Sequence, residues 1–170
     1  AAGCRVSLFI APDPRQIEAT ARTGAQVVEL HTGAYCDLHA EGRTAERDVE
    51  LARLAEAAAL AHRLGLEVHA GHGLGFETVA PIAALAEVVE LNIGHFLIGE
   101  AVFTGLDSAI RRMRELMDRA RRDAAGQMGA PREDADKAVP VPGREAQGRR
   151  AVREAPGGVR RPLPDLRVAR

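Results

Sequence analysis

The chain has 170 residues, of which 46% are apolar, and it carries a formal net charge of −1. A chain of this length can bury a hydrophobic core. Its near-neutral charge does not suggest nucleic acid or an anionic membrane as a partner. No apolar run approaches the roughly 18 residues of a membrane span. No secretory signal pattern opens the sequence, and Cys4 and Cys36 lack metal-ligand spacing and are typical of reduced thiols, so we expect a cytoplasmic protein.

Short apolar runs alternate with helical patterns four times along the chain. Asp13 and Pro14 favour a helix start after the first run, because Asp caps helix N-termini and Pro fits the first turn. Gly24 fits the end of that helix, and a loop of about ten residues is predicted after Thr32-Gly33, ending at Thr44. The predicted strands are residues 6–10, 27–31, 66–70 and 88–93, and the predicted helices are residues 14–23, 45–64, 77–85 and 105–122. The last helix is expected to bury Leu106, Ile110, Met113 and Met117 along one apolar face.

This alternation predicts an α/β fold with a parallel sheet, either an open doubly wound sheet or part of a (βα)8 barrel. No Gly-x-Gly-x-x-Gly opens the first helix, which disfavours a dinucleotide site. Three strands have one apolar face and one polar face. The polar pairs are Glu29 with His31, Glu67 with His69, and Glu90 with Asn92. A polar inner face favours the barrel, since an open sheet covered by helices on both faces would bury these carboxylates.

The composition changes near residue 126. Residues 1–125 carry an excess of acidic side chains, whereas residues 126–170 are basic and contain six of the nine prolines. We therefore predict a folded domain over residues 1–125 and a disordered, solvated tail over residues 126–170.

His72 is the strongest candidate for chemistry, because it follows a predicted strand and lies between Gly71 and Gly73. Its ordinary pKa near ~6.5 suits proton transfer, although a histidine that only hydrogen-bonds to the turn backbone is the simpler alternative. Glu29 projects to the same polar face, as a functional carboxylate or as the partner of His31, because an unpaired buried carboxylate is costly.

Two strand ends carry glycines that can approach a phosphate. Gly94 and His95 follow the fourth strand, and Gly73 follows the third. In barrels this position binds phosphate through backbone N–H groups and the start of a short helix. The alternative is a metal held by histidines that meet at one barrel mouth, namely His31, His69, His72 and His95. His39 and His62 are expected at the surface.

Residues 5–122 resemble the pyridoxine 5′-phosphate synthases of vitamin B6 biosynthesis. The resemblance is carried by Val28-Glu29-Leu30-His31-Thr32-Gly33, by Val68-His69-Ala70-Gly71-His72-Gly73-Leu74, and by Glu90-Leu91-Asn92-Ile93-Gly94-His95. It implies a (βα)8 barrel that condenses 3-amino-2-oxopropyl phosphate with 1-deoxy-D-xylulose 5-phosphate, without a metal or an organic cofactor. It implies His72 as proton donor, Glu29 as a transition-state stabiliser, and Gly73, Gly94 and His95 as substrate contacts.

The resemblance starts at the fifth strand of that barrel, so we expect residues 1–125 to form its C-terminal half, (βα)4. The family's first four strands carry a further catalytic histidine and glutamate, and the chain as given is expected to be incomplete for catalysis. A complementary N-terminal half or a second copy is therefore the expected partner, besides the phosphorylated substrates. The alternative is a non-catalytic phosphate-binding half-barrel or interaction module.

Overall fold

The computed structural model describes residues 3–129 and 166–168. The strands are β1 (Ser7–Ile10), β2 (Val27–His31), β3 (Glu67–Gly71), β4 (Val88–Asn92) and β5 (Arg167–Val168). The helices are α1 (Pro14–Thr23), α2 (Gly33–Ala40), α3 (Thr44–Arg63), α4 (Val79–Ala83), α5 (His95–Thr104) and α6 (Leu106–Gly129). The predicted α/β class and the first four strands are confirmed, with each strand end within one residue of its expected position.

The five strands form one sheet in the order β1-β2-β3-β4-β5, and every neighbouring pair is parallel. Parallel strands need crossover connections, which the helices provide. Because the carboxyl ends of parallel strands meet at one edge, the residues that follow β2, β3 and β4 are brought side by side. The (βα)8 barrel, of which this sheet is expected to form half, stays a prediction.

The core lies between the helices and one face of the sheet. The apolar residues Val28 and Leu30 of β2 and Val68 and Ala70 of β3 are at most 1% exposed. The long α3 packs here through buried alanines, which let a helix approach a sheet closely. These are Ala57, Ala58 and Ala61. The opposite face of the sheet carries the polar pairs, as the alternation in sequence predicts.

The ends of α1 are as predicted. The Asp13 carboxylate accepts the backbone N–H of Arg15 at 2.8 Å, and Pro14 occupies the first turn. Gly24 ends the helix with φ of 80°, a conformation in which glycine carries little penalty.

The loop of about ten residues predicted to end at Thr44 is wrong, because most of it forms α2. The sequence of α2 has no apolar stripe and begins at a glycine, so its local signal is weak. Tertiary contacts stabilise this helix instead. Tyr35 and Cys36 are buried, and the Tyr35 hydroxyl donates to the Thr78 carbonyl oxygen at 3.2 Å.

The last helix also differs from its prediction. It continues to Gly129 instead of ending near residue 122. Met113 and Met117 are buried as expected, but Leu106 and Ile110 are about half exposed. The helix α5 packs on α6.

The predicted disordered tail is wrong where the structure describes it. Residues 126–129 belong to α6, and Arg167 and Val168 pair with Glu90 and Leu91 of β4. For residues 130–165, which lie outside the described part of the chain, disorder stays a prediction. No helix within the described ranges is long and apolar enough to cross a membrane.

Candidate active site

The turn that follows β3 holds His72 in a left-handed backbone conformation, with φ of 79°. This conformation costs a residue with a Cβ roughly 1–2 kcal/mol, so surrounding contacts must hold it. The buried hydroxyl of Thr32 provides them, because its Oγ1 lies 2.8 Å from the Gly71 carbonyl oxygen and 2.6 Å from that of His72. Gly73 follows with φ of 83°, and a Cβ there would lie 3.3 Å from the Cys36 sulfur. The turn backbone is thus held by Thr32, and the His72 imidazole faces a cavity.

Two aromatic rings flank the imidazole of His72. The His31 ring stacks on it, with centroids 4.6 Å apart, and the Phe9 ring lies 5.0 Å from His31 and 6.3 Å from His72. The His31 Nδ1 accepts the backbone N–H of Gly33 at 3.1 Å, which leaves Nε2 to carry the proton of a neutral ring. His31 therefore packs on His72 instead of forming the expected pair with Glu29.

Glu29 projects from β2 towards the same cavity. Burial raises the pKa of its carboxyl above the ordinary value, whereas a hydrogen bond from Asn92 and the charge of His69 act in the opposite direction. Gly71 lies across the strand pair, and a Cβ there would come 2.5 Å from Glu29 Oε1 and 2.8 Å from the Asn92 carbonyl oxygen. The missing side chain at Gly71 creates the space in which Glu29 and Asn92 meet.

The start of α5 forms the opposite wall of the cavity. Gly94 is the N-cap of this ten-residue helix and provides no side-chain cap, so the first backbone N–H groups lack a partner within the helix. These groups and the helix dipole favour an anion. Gly94 and His95 both line the cavity that His72 also lines.

All five predicted site residues line one cavity of about 450 Å³. They are Glu29, His72, Gly73, Gly94 and His95. The arrangement combines a titratable imidazole, a carboxyl with a raised pKa and an uncapped helix start. This set can transfer a proton to, and hold a phosphate of, a small molecule.

Sequence reasoning missed three residues that build the site. Phe9 and Asn92 line the cavity, and Thr32 holds the turn from beneath. Asn92 was visible as a polar residue in alternation with Glu90, and Phe9 occupies the inward register of β1. Nothing in the sequence marks Thr32, because its function depends on its position across the β2–β3 pair.

A second polar cluster lies below the cavity on the same face of the sheet. His69 is 8% exposed, with Nε2 2.9 Å from Glu67 Oε1 and Nδ1 3.3 Å from Glu90 Oε1. The hydrogen bond from His69, together with Arg5, lowers the pKa of Glu67 to about 2. Arg167 of β5 reaches both carboxylates. We call Glu67, His69, Glu90 and Arg167 the lower polar layer.

The alternative of a metal held by four histidines is not supported, since His31 stacks on His72 while His69 is engaged in the lower polar layer. Within residues 3–129 and 166–168, no three His, Cys, Asp or Glu side chains are placed to hold a metal ion. Of the other two histidines, His62 is exposed as expected, whereas His39 is partly buried and lies 3.4 Å from the Glu77 carboxylate.

Comparison with known proteins gives a matching family model and several similar enzymes. Residues 1–119 match the family model "Pyridoxal phosphate biosynthesis protein PdxJ". The pyridoxine 5′-phosphate synthase of Roseobacter denitrificans is 70% identical over 120 residues, which are 71% of this chain and 48% of that protein. The enzyme of the same name from Cereibacter sphaeroides is 70% identical over 125 residues, 74% of this chain and 50% of that protein. That of Caulobacter vibrioides is 65% identical over 119 residues, 70% of this chain and 47% of that protein.

The chain spans about half the length of these curated relatives. The family match runs through β1 and ends within α6, and it therefore includes every residue that lines the cavity. With the family model matching well over half of its residues, the chain belongs to the PdxJ family of pyridoxal phosphate biosynthesis proteins.

Proposed function

We propose that the cavity is part of a pyridoxine 5′-phosphate synthase site, in which 3-amino-2-oxopropyl phosphate condenses with 1-deoxy-D-xylulose 5-phosphate to give pyridoxine 5′-phosphate, inorganic phosphate and water. The observation that carries this proposal is the convergence of Glu29, His72 and the start of α5 on one cavity. The names of the relatives support the reaction class.

In this proposal each group has a task that fits its surroundings. The His72 imidazole donates a proton to the reacting substrate, and the left-handed turn holds it clear of the backbone. Glu29 stabilises positive charge as it develops, for which its position among Asn92, His69 and His31 is suited. Gly94, His95 and Gly73 bind the phosphate of the amino-oxopropyl substrate, mainly through backbone N–H groups.

We propose that β1 to β4 are four strands of a (βα)8 barrel and that a further protein segment completes the site. The polar face of the sheet supports this, since a closed barrel would turn that face inward. The resemblance places a further catalytic histidine and glutamate on strands outside the matched region. A complementary half would therefore complete the catalytic set, whereas a second copy would close the barrel without supplying these two residues. The two free thiols, Cys4 and Cys36, are compatible with the cytoplasm as the site of action.

Binding of the product tests the phosphate site without requiring turnover. Isothermal titration calorimetry with pyridoxine 5′-phosphate should detect binding by the wild-type chain. Gly94→Asp places a carboxylate at the start of α5 and should abolish binding by repelling the phosphate.

Gly94→Ala is the matched control for this titration. A Cβ at position 94 meets no atom within 4 Å, so this variant should bind like the wild type. Absence of binding by the wild type, or equal binding by Gly94→Asp, would contradict the proposed phosphate site.

The second candidate is a phosphate-binding module without turnover. The uncapped start of α5 favours it, because anion binding there needs no catalytic side chain. In that case the His72→Gln variant would still bind pyridoxine 5′-phosphate. Adding a complementary N-terminal half would not produce turnover.

A further inference from the structure

The C-terminal residues of this chain lie outside the family match, yet part of them packs on the sheet. The family model ends at residue 119, and residues 166–168 lie beside β4. The catalytic proposal uses none of these three residues. Their contacts point to a separate task, and we call residues 166–168 the edge segment.

The edge segment covers backbone that is otherwise open to strand addition. Arg167 is in parallel register with Glu90, and Val168 with Leu91. An uncovered strand edge presents a row of free N–H and C=O groups and readily pairs with another chain. The edge segment covers the middle of β4, between Val88 and Asn92.

Apolar burial and a hydrogen bond anchor the edge segment at its first residue. Leu166 is 2% exposed and belongs to the same core as Met113 and Met117 of α6. The Arg114 guanidinium donates to the Leu166 carbonyl oxygen. Residue 166 is therefore fixed to α6 as well as to the sheet.

Arg167 anchors the edge segment through charge. Its Nη2 lies 2.6 Å from Glu67 Oε1, and its Nε lies 3.5 Å from Glu90 Oε2. His69 lies between the same two carboxylates. Two neighbouring carboxylates repel each other unless cations offset their charge, so the lower polar layer selects a basic residue at this position.

The other edge of the sheet offers a strand that would fit the place of the edge segment. Among the described residues, β1 pairs only with β2, so its other edge has no strand partner there. If β1 of a second copy lay beside β4, it would continue the parallel order of the sheet. A two-fold axis would then join both pairs of edges at once.

We propose that the edge segment prevents the chain from associating with a second copy, because it occupies the β4 edge that β1 of that copy would take. The lower polar layer makes this competition dependent on Arg167. This self-association needs only the strand edges, and it holds whether or not the cavity binds the substrates proposed above.

Arg167→Glu tests the proposal in the full-length chain. The new carboxylate would face Glu67 and Glu90 and release the edge segment. Sedimentation velocity over a concentration series should show dimers at concentrations about tenfold lower than for the wild type, as expected for loss of a charged hydrogen-bonded contact.

Arg119→Glu makes the same charge change at an exposed position of α6 and should behave like the wild type. Arg167→Lys should retain most of the wild-type behaviour. Equal self-association of Arg167→Glu, Arg119→Glu and the wild type would overturn the proposal.

Hydrogen exchange keeps the test decisive if a variant is less stable. At a dilution where every protein is monomeric, amides of residues 88–92 should exchange faster in Arg167→Glu, while those of β2 stay protected. Leu166→Ala should have the same effect on β4. Unchanged exchange in β4, or faster exchange without increased dimerisation, would each refute competition between the edge segment and a second copy.

Discussion

Gly71→Ala is predicted to destabilise the fold and displace Glu29, because the site is built around the missing side chain at position 71. A Cβ there would lie 2.5 Å from Glu29 Oε1, 2.8 Å from the Asn92 carbonyl oxygen and 2.9 Å from the Asn92 Cβ. These separations are about 1 Å shorter than ordinary van der Waals contact. The Glu29 carboxylate can rotate away, but the Asn92 backbone can move only if β4 shifts against β3.

Overpacking of this kind costs about 1–3 kcal/mol, a substantial part of a typical domain's stability of about 5–15 kcal/mol. Urea denaturation followed by far-ultraviolet circular dichroism measures the loss. Gly99→Ala is the control, since it adds a methyl group to exposed α5 with no atom within 4 Å, and it should stabilise by about 0.5–1 kcal/mol. A Gly71→Ala variant as stable as the wild type would refute the steric reasoning.

Three further predictions concern the turn and the carboxylate. Thr32→Val removes the hydroxyl that contacts the turn and should lower the free energy of unfolding, measured by urea denaturation, by about 1–3 kcal/mol. Thr32→Ser keeps the hydroxyl and should lower it less. Equal losses in the two variants would contradict the function assigned to the Thr32 hydroxyl. His72→Gly should be about 1–2 kcal/mol more stable than His72→Ala, because only glycine adopts φ of 79° without penalty; equal stability would contradict the left-handed conformation. Burial raises the folded-state pKa of Glu29 above its ordinary value of 4.5, so the wild type should lose stability relative to Glu29→Gln as pH rises from 4.5 through that higher pKa. Denaturation midpoints across this pH range measure the difference, and a difference that does not change with pH would contradict the raised pKa.

The strands could be predicted closely because their signals are local. Each is a short apolar run bounded by a turn residue, and the alternation of Val28 and Leu30 with Glu29 and His31 indicates which face is buried. Since parallel strands end at one edge, the convergence of Glu29, His72 and Gly94 followed from the strand order.

The helices that the sequence did not reveal depend on tertiary contacts. The helix α2 begins at Gly33 and is held by burial of Tyr35, which no local pattern encodes. On α6, Met113 is buried whereas Ile110 is not, although both lie on the apolar face that the sequence predicts. Local preference is a weak guide where packing decides the conformation.

The supporting residues of the site were hidden for a related reason. Thr32 and Gly71 act through atoms on the neighbouring strand, so their functions depend on the register between β2, β3 and β4. Arg167 is separated from its partner Glu67 by 100 positions along the chain, and its ion pair could be read only from the structure.

Reconstitution tests the central claim most directly. The full-length chain, carrying Arg167→Glu so that the edge segment does not block the β4 edge, would be mixed with the separately produced N-terminal half of the Roseobacter denitrificans pyridoxine 5′-phosphate synthase and supplied with both proposed substrates. We predict that pyridoxine 5′-phosphate forms only when both are present, and that His72→Gln reduces its formation by about 10²–10⁴-fold, the usual contribution of a positioned acid. No product from a folded mixture, or undiminished product with His72→Gln, would contradict the assignment of this cavity. Formation of product by the chain alone would contradict the expectation that the chain is incomplete for catalysis.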